Sequence, residues 1–414
     1  MAVLNKYSSD LSYQKEKQPF VVTYPKNSNQ IQKIIDLAKE HNLGMIPISS
    51  SGNEHYHGDT IPRRENCIIL NLTRMNKILN IDHKNRVVMI EPGVTFGKLI
   101  PKLKKKGLRL LLPLHPRETK SVIASALERE PILIPRYHWD SSDPLLCLEV
   151  ILWATIKCEV IPLEGIIYHY SSGALKDLLE FQYDLIKNRL SDEMFIINNL
   201  NLACLLCKKQ DQIETLKKSL PYWNLIFRIT GHGEFSQDRL DYLKGDISDL
   251  YSKYEKSIKP INSIINNRNL ADSLDTSTEF DWRLRLSNNT KDFLFITNFQ
   301  KITEQIQFIK ENFKGQLGIY IQPINLGSSF HCEFNFYLSN QSDNFKDQYL
   351  ELGKKLIQSG AFFSRPYGIL SNIIFENQQE ATIKALDKIK KIFDPKGIMN
   401  PGVLCYDKLI TNRN

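Results

Sequence analysis

One strand-like run, Phe330-His331-Cys332-Glu333-Phe334-Asn335-Phe336, alternates polar and apolar residues without a break. Period-two alternation sets His331, Glu333 and Asn335 on one face and Cys332, Phe334 and Phe336 on the other. An imidazole beside a carboxylate can bind a metal, hold a substrate carboxylate, or serve as acid and base. A plain solvated face is the competing reading. Arg365, in Phe363-Ser364-Arg365-Pro366, is a candidate carboxylate clamp, because its planar fork engages both oxygens at once. Anchoring its own loop is the alternative role.

A second constellation lies near the amino end, in Ser49-Ser50-Ser51-Gly52-Asn53-Glu54-His55-Tyr56-His57-Gly58-Asp59-Thr60. Small residues directly after a buried strand let backbone N–H groups approach a diphosphate closely. Ser49, Ser50 and Ser51 add hydroxyl donors. The loop is neither a P-loop nor a Gly-x-Gly-x-x-Gly fingerprint, and an ordinary polar turn is the alternative. His55 and His57, with Glu54 and Asp59 nearby, lack a helix to fix ligand geometry, so no metal is expected. Cys204-Leu205-Leu206-Cys207 sits in a wholly apolar run and reads as buried thiols.

These residues need elements to position them. Ile31, Ile34, Ile35 and Ala38 fall at helical spacing and predict a helix over 28–42, capped by Asn27 or Ser28 and ended by Gly44. Strands are expected at 45–49 and 67–72, and a hairpin over 77–81 and 86–91. Thr95 can cap a helix that Pro101 should kink or confine to short turns. The lysines at 102, 104, 105 and 106 read as a solvated helix end. Beyond residue 163, strand-like runs at 225–230, 293–297, 317–322 and 332–338 alternate with helix-like runs at 302–313 and 347–358. That texture suggests α+β architecture, with helices on one face of an antiparallel sheet. The polar stretch 262–277 reads as the main internal loop, and a last helix spans 381–393.

The chain has 414 residues, 42% apolar and 24% charged, with a net charge of +8. These values suit a globular protein of two or three domains and exclude a disordered or collagenous chain. Seven scattered cysteines argue against a disulfide framework and for a reducing compartment. No apolar run is long enough to span a membrane, no signal-peptide core opens the chain, and a cytoplasmic location is expected. No basic-aromatic stripe points to nucleic acid.

Several segments together resemble one family. They are Gln18-Pro19-Phe20-Val21-Val22-Thr23-Tyr24-Pro25, the serine-glycine loop, Asn71-Leu72-Thr73-Arg74-Met75-Asn76-Lys77-Ile78, Val88-Met89-Ile90-Glu91-Pro92-Gly93-Val94-Thr95, and Phe393-Asp394-Pro395-Lys396-Gly397-Ile398-Met399-Asn400-Pro401-Gly402. This order is similar to the FAD-linked oxidases of the vanillyl-alcohol oxidase or PCMH type, in particular the branch of glycolate oxidase and D-lactate dehydrogenase subunits. The resemblance implies an FAD-binding domain over 1–162, a cap domain over 163–380, and a C-terminal return to the cofactor over 381–414. It implies that Ser49, Ser50, Ser51, Gly52, Asn53, Glu54, His55, Gly58 and Asp59 hold the FAD diphosphate. Pro113 and His115 would run along the flavin and Asn400 would touch it. His331, Glu333 and Arg365 would face the substrate from the cap.

One departure stands out. Relatives of this type carry a long insertion, ending in a Gly-x-x-Gly flavin contact, just before the counterpart of Trp153. Here Val150-Ile151-Leu152 passes straight to Trp153, and a glycine-rich stretch expected near 121–126 is also missing. The resemblance therefore implies either an FAD-dependent oxidoreductase acting on a small 2-hydroxy acid or related alcohol, or a structural subunit that has lost flavin. The resemblance also implies that electrons pass to an iron–sulfur or quinone-linked partner; no cysteine pattern here holds a cluster of its own.

Overall fold

Three sheets organise the chain. The computed structural model describes residues 2–50, 60–128, 130–135, 145–149, 152–261, 267–338, 345–366 and 368–403, of which 2, 145–149, 267 and 268 are described in backbone only. The first sheet is parallel. Cys67–Asn71 lies between Val21–Thr23 and Gly44–Ile48 and is buried along its whole length, as a central parallel strand covered on both faces must be. Helix Ser28–Glu40 packs on it through Ile31 and Ala38, and its N-cap is Asn27, whose Oδ1 accepts from Gln30 N at 3.0 Å. Gly44 does not end that helix. Asn42 makes the left-handed turn at φ 49°, and Gly44 opens the next strand. A Cβ there would lie 2.6 Å from Cys67 Sγ and 2.8 Å from Pro401, so the glycine serves close packing against the C-terminal return.

The second sheet is antiparallel, in the order Ile78–Asp82, Val87–Ile90, Trp153–Val160, Leu108–Leu110, with Leu145–Glu149 also paired to Trp153–Val160. Thr95 caps helix Phe96–Lys104 as expected, but Pro101 sits inside one continuous helix. Leu99 and Leu103 are fully buried on either side of it, in the cluster formed with Val88, Ile90 and Ile156. That packing holds both turns despite the backbone donor that Pro101 lacks.

The third sheet has seven antiparallel strands, ordered Lys259–Pro260, Glu164–Ser172, Trp223–Gly231, Glu193–Asn198, Gln316–Ile324, Ser329–Tyr337, Thr290–Thr297. Phe227, Phe293, Phe295, Ile319, Phe334 and Phe336 cluster on one face with helices Leu175–Lys187, Ser236–Ser252, Ile302–Asn312 and Phe345–Gln358. The other face is also covered. Phe195, Ile197, Ile226 and Tyr320 pack with helices Asn199–Leu206, Gln210–Ser219 and Asn267–Asp275. Helices on both faces replace the expected one-sided layer. Helix Asn267–Asp275 also corrects the expected loop at 262–277: Leu270 and Leu274, one turn apart, are both buried in that second cluster, and two apolar residues in a polar stretch are too few to reveal a helix by periodicity. The chain rejoins the first sheet where Met399 bridges Met45.

Candidate active site

Strand register decides what the third sheet presents on its second face. Asp292 lies opposite Asn335, Leu294 opposite Glu333 and Ile296 opposite His331. On the other flank Gly318, Tyr320 and Gln322 oppose Asn335, Glu333 and His331. Directly paired residues share a face, so this face carries a polar stripe while its reverse packs Cys332, Phe334 and Phe336 with Phe293, Phe295, Ile319 and Ile321. The stripe is not solvated: His331 and Glu333 are each 3% exposed and Asn335 is fully buried. Buried polar groups at such a position require partners.

Glu333 finds them in Arg283. One guanidinium edge donates to both its oxygens, Nε to Oε1 and Nη2 to Oε2, the latter at 3.0 Å. Asn335 Nδ2 donates to Glu333 Oε1 at 3.0 Å, Asn201 Nδ2 donates to Asn335 Oδ1 at 2.7 Å, and Tyr337 OH donates to Asn201 Oδ1 at 3.0 Å. Gly318 makes room for this relay, since a Cβ there would fall 1.9 Å from Asn201 Oδ1. With both oxygens of Glu333 engaged, it is a poor metal ligand and a poor proton carrier. Among the described residues no group of three or more His, Cys, Asp or Glu is arranged to hold a metal.

His331 has a different environment. Burial, then Arg365 and Arg283, hold its imidazole well below the usual range, so it is neutral at physiological pH. Asp292 is pushed up to about 7, by burial first and by Glu333 second. Neither Asp292 nor Tyr320 nor Arg283 stands in a sequence pattern that marks it. Sheet register brings Asp292 and Tyr320 to the cleft, and the turn Trp282–Leu284 brings Arg283.

The opposite wall belongs to the first half of the chain. Pro113, Leu114, Pro116, Arg117 and Lys120 line the cleft with His331, Glu333, Asp292 and Arg365. Lys120 is paired with Glu128 at 2.6 Å and with Glu130 at 2.5 Å. Burial opposes the charge on Glu130, but Lys120 and then Arg365 outweigh it and hold that carboxyl at about 2. The walls are tied at one end: Thr278 N donates to Pro116 O at 2.9 Å, Glu118 N to Thr278 O at 2.7 Å, and Trp282 Nε1 to Leu114 O at 3.3 Å. His115 is not brought into this cleft. It lines a separate one with Lys208 and Arg285, with Nδ1 3.3 Å from Thr276 O, and burial lowers its pKa to about 4.

Ser51, Gly52, Asn53, Glu54, His55, Gly58 and Asp59 lie outside the described residues. Ser49 and Ser50 follow strand Gly44–Ile48 at its carboxyl end, where ligands of open α/β sheets bind. Ser50 Oγ accepts from Ser121 N at 2.8 Å, and Ser121 in turn caps helix Val122–Leu127. Asn400, at φ 45°, donates its N–H to Met45 O at 2.8 Å, on the same strand. Ser50 thus meets Ser121 at the carboxyl end of this strand while Asn400 is held near its amino end, and the groups named are hydroxyls and amides, free of carboxylates. Such a donor set fits a dinucleotide. The second flavin contact surface has no described counterpart between Glu149 and Leu152.

Residues 19–127 match the family described as "FAD binding domain", and residues 367–404 match "FAD linked oxidases, C-terminal domain". The glycolate oxidase subunit GlcD of Bacillus subtilis is 33% identical over 102 residues, 25% of this chain and 21% of that protein. The mitochondrial D-2-hydroxyglutarate dehydrogenase of Arabidopsis thaliana is 21% identical over 430 residues, 94% of this chain and 75% of that one. Among solved structures, p-cresol methylhydroxylase with substrate bound superposes with a TM-score of 0.77 at 14% identity, covering 97% of this chain and 92% of that one. That likeness is one of fold. The curated matches at 33–35% identity cover only about a fifth of their own length or less.

Proposed function

We propose that this chain, whose residues 19–127 and 367–404 match the FAD binding domain and the C-terminal domain of FAD linked oxidases, uses FAD to remove a hydride from the α-carbon of a small 2-hydroxy acid or related alcohol. The observation that carries this reading is the neutral, buried His331 beside a closed Arg283–Glu333 pair, in a cleft whose facing wall is the FAD-binding half. Bound FAD supplies the hydride acceptor. Ser49, Ser50, Pro113 and Asn400 are the described residues that would hold it, with the loop at 51–59 completing the diphosphate site.

The protein's own part is positioning and proton transfer. A ring nitrogen of neutral His331 takes the proton of the substrate hydroxyl as the C–H bond is broken. The charge His331 then gains is offset by Glu130, the acidic group acting on it. Arg365, on the cleft wall, meets the substrate carboxylate. Glu333 acts by fixing Arg283 and so keeps a second positive charge on one side of the site. Electrons then pass to an iron–sulfur or quinone-linked partner.

The reading fails or stands on the bound chromophore. Purified protein should be yellow, with flavin near equimolar, and a hydroxy acid such as glycolate or D-lactate should bleach it without oxygen. A colourless protein that cannot be reconstituted with FAD would establish the structural-subunit alternative, which rests on the short passage from Glu149 to Trp153. His331→Asn should keep its flavin and slow bleaching by roughly 10²- to 10⁴-fold, the range for a general base.

A further inference from the structure

A second cleft lies back to back with the first. Leu133 N donates to Leu112 O at 3.0 Å and Met194 N donates to Leu133 O at 3.1 Å, and this hydrogen-bonded rung separates the two. Pro113, Leu114 and Pro131 face the first cleft, while Leu110, Leu112, Leu133 and Ile134 line the second. The second is a cavity of about 260 Å³ against about 70 Å³ for the first. Its walls come from both halves of the chain and are aliphatic, with Ile161, Ile167 and Leu274 added to those already named. Mostly apolar concave sites with a few convergent polar groups are the usual form of small-molecule sites.

Arg109 and Arg228 with Glu193 and Asp275 form a linked polar group here, beside Lys104, Glu164 and Thr230. Arg109 reaches Glu193 at 2.9 Å and Glu159 at 3.1 Å; Arg228 reaches Glu193 at 2.5 Å and Asp275 at 2.7 Å. Arg228 is 5% exposed, and the Nε of each arginine is buried without a hydrogen-bond partner. A buried donor left unmade is costly, and each calls for an acceptor. Charge decides which acceptor. Among the residues lining the cleft Lys104, Arg109 and Arg228 balance Glu164, Glu193 and Asp275, and Glu159, paired with Arg109, leaves the network with one surplus negative charge. A further carboxylate would be repelled, and an amine would bring more donors where acceptors are wanted.

We propose that this cleft binds a small, neutral, apolar molecule bearing a carbonyl oxygen, seated with its chain on the leucine and isoleucine walls and its oxygen toward Arg228. The proposal is independent of the reaction in the first cleft. It is tested on the full-length protein with bound flavin by calorimetry and saturation-transfer NMR, with 2-octanone as probe and octanoate and octylamine as equal-length controls. The expected result is one 2-octanone per chain, with octanoate and octylamine each weaker by about tenfold or more, near 1.4 kcal/mol. Leu274→Trp and Ile161→Trp, which fill the cavity from two walls, should each weaken 2-octanone by at least about tenfold and leave flavin content unchanged. If Leu274→Trp does not fold, Ile161→Trp, at the half-buried rim, decides alone. No binding, binding indifferent to the filled wall, or octanoate or octylamine binding as tightly as the ketone overturns the proposal.

Discussion

Asp292→Asn should stabilise this protein, and by an amount set by pH. Asp292 is 8% exposed, on strand Thr290–Thr297 opposite Asn335. Burial and the neighbouring Glu333 push its carboxyl from 3.8 to about 7, against the pull of Arg365 and Arg283. At 1.36 kcal/mol per pH unit, that displacement costs the folded state about 4 kcal/mol once the group is ionised. The native state holds this proton more tightly than the unfolded chain. Between pH 4 and 7 it therefore binds more protons, and its stability falls as pH rises through that window. Asparagine keeps the shape and cannot ionise. The stability gap between variant and wild type should thus open from near zero around pH 4 to about 4 kcal/mol at pH 8. His331 titrates with the opposite sign, since its folded pKa is lowered, but it is common to both proteins and cancels from the difference. Urea titrations of the two proteins around pH 4, 5.5 and 8, analysed at equal slope, measure the gap. A gap that stays flat with pH, or that closes as pH rises, would refute the assignment of Asp292 as a buried, reluctantly charged carboxyl.

The sequence pattern reached the polar stripe but not its company. Strict alternation over residues 330–336 was enough to place His331, Glu333 and Asn335 on one face, because a strand's period is fixed by its pleat. It could not say that the face is buried, since polar residues at alternate positions look the same whether water or Arg283 satisfies them. Arg283 sits fifty residues upstream, in a short 3₁₀ turn at Trp282–Leu284, and Asp292 and Tyr320 come from two other strands. Only the fold joins them. The parallel strands near the amino end were legible as apolar runs bounded by turn residues. The helix after Thr95 was legible but its continuity through Pro101 was not, nor was the helix at Asn267–Asp275, because what holds each is the packing of its own leucines against distant elements. The resemblance set His115 along the flavin with Pro113; in the folded chain it has a φ of 44° and lines a cleft that Pro113 does not.

Arg283→Met leaves Glu333 charged and buried without its partner and should cost about 3–5 kcal/mol, while the double variant Arg283→Met/Glu333→Gln should recover more than half of that loss in the same denaturation assay. Gly318→Ala drives a methyl group into Asn201 Oδ1 and should destabilise by about 1–3 kcal/mol, loosening the Asn335–Asn201–Tyr337 relay; an unchanged midpoint would show that the relay has slack. Gly52→Val should abolish flavin retention with an unaltered far-ultraviolet dichroism spectrum, and unchanged flavin content would remove the 49–59 loop from the diphosphate site. The pH dependence of flavin reduction separates His331 from Asp292, a second titrating group in the same cleft that could take the proton instead. His331 is neutral well below pH 6.5, because burial and two arginines disfavour its charge, so a reaction that relies on it is already at full rate by about pH 6 and stays level above. Asp292 gains its charge near pH 7, so a reaction that relies on it rises about tenfold per pH unit below that point and levels off only above it. Burial, Arg365 and Arg283 act on both groups, so it is the Asp292→Asn variant, which cannot ionise at that position, that separates their limbs. A single-turnover profile that is level from pH 6 to 9 in the wild type and unaltered in Asp292→Asn assigns the proton to His331. A limb near pH 7 that vanishes in Asp292→Asn would transfer that role to Asp292 and leave His331 as a hydrogen-bonding wall of the cleft.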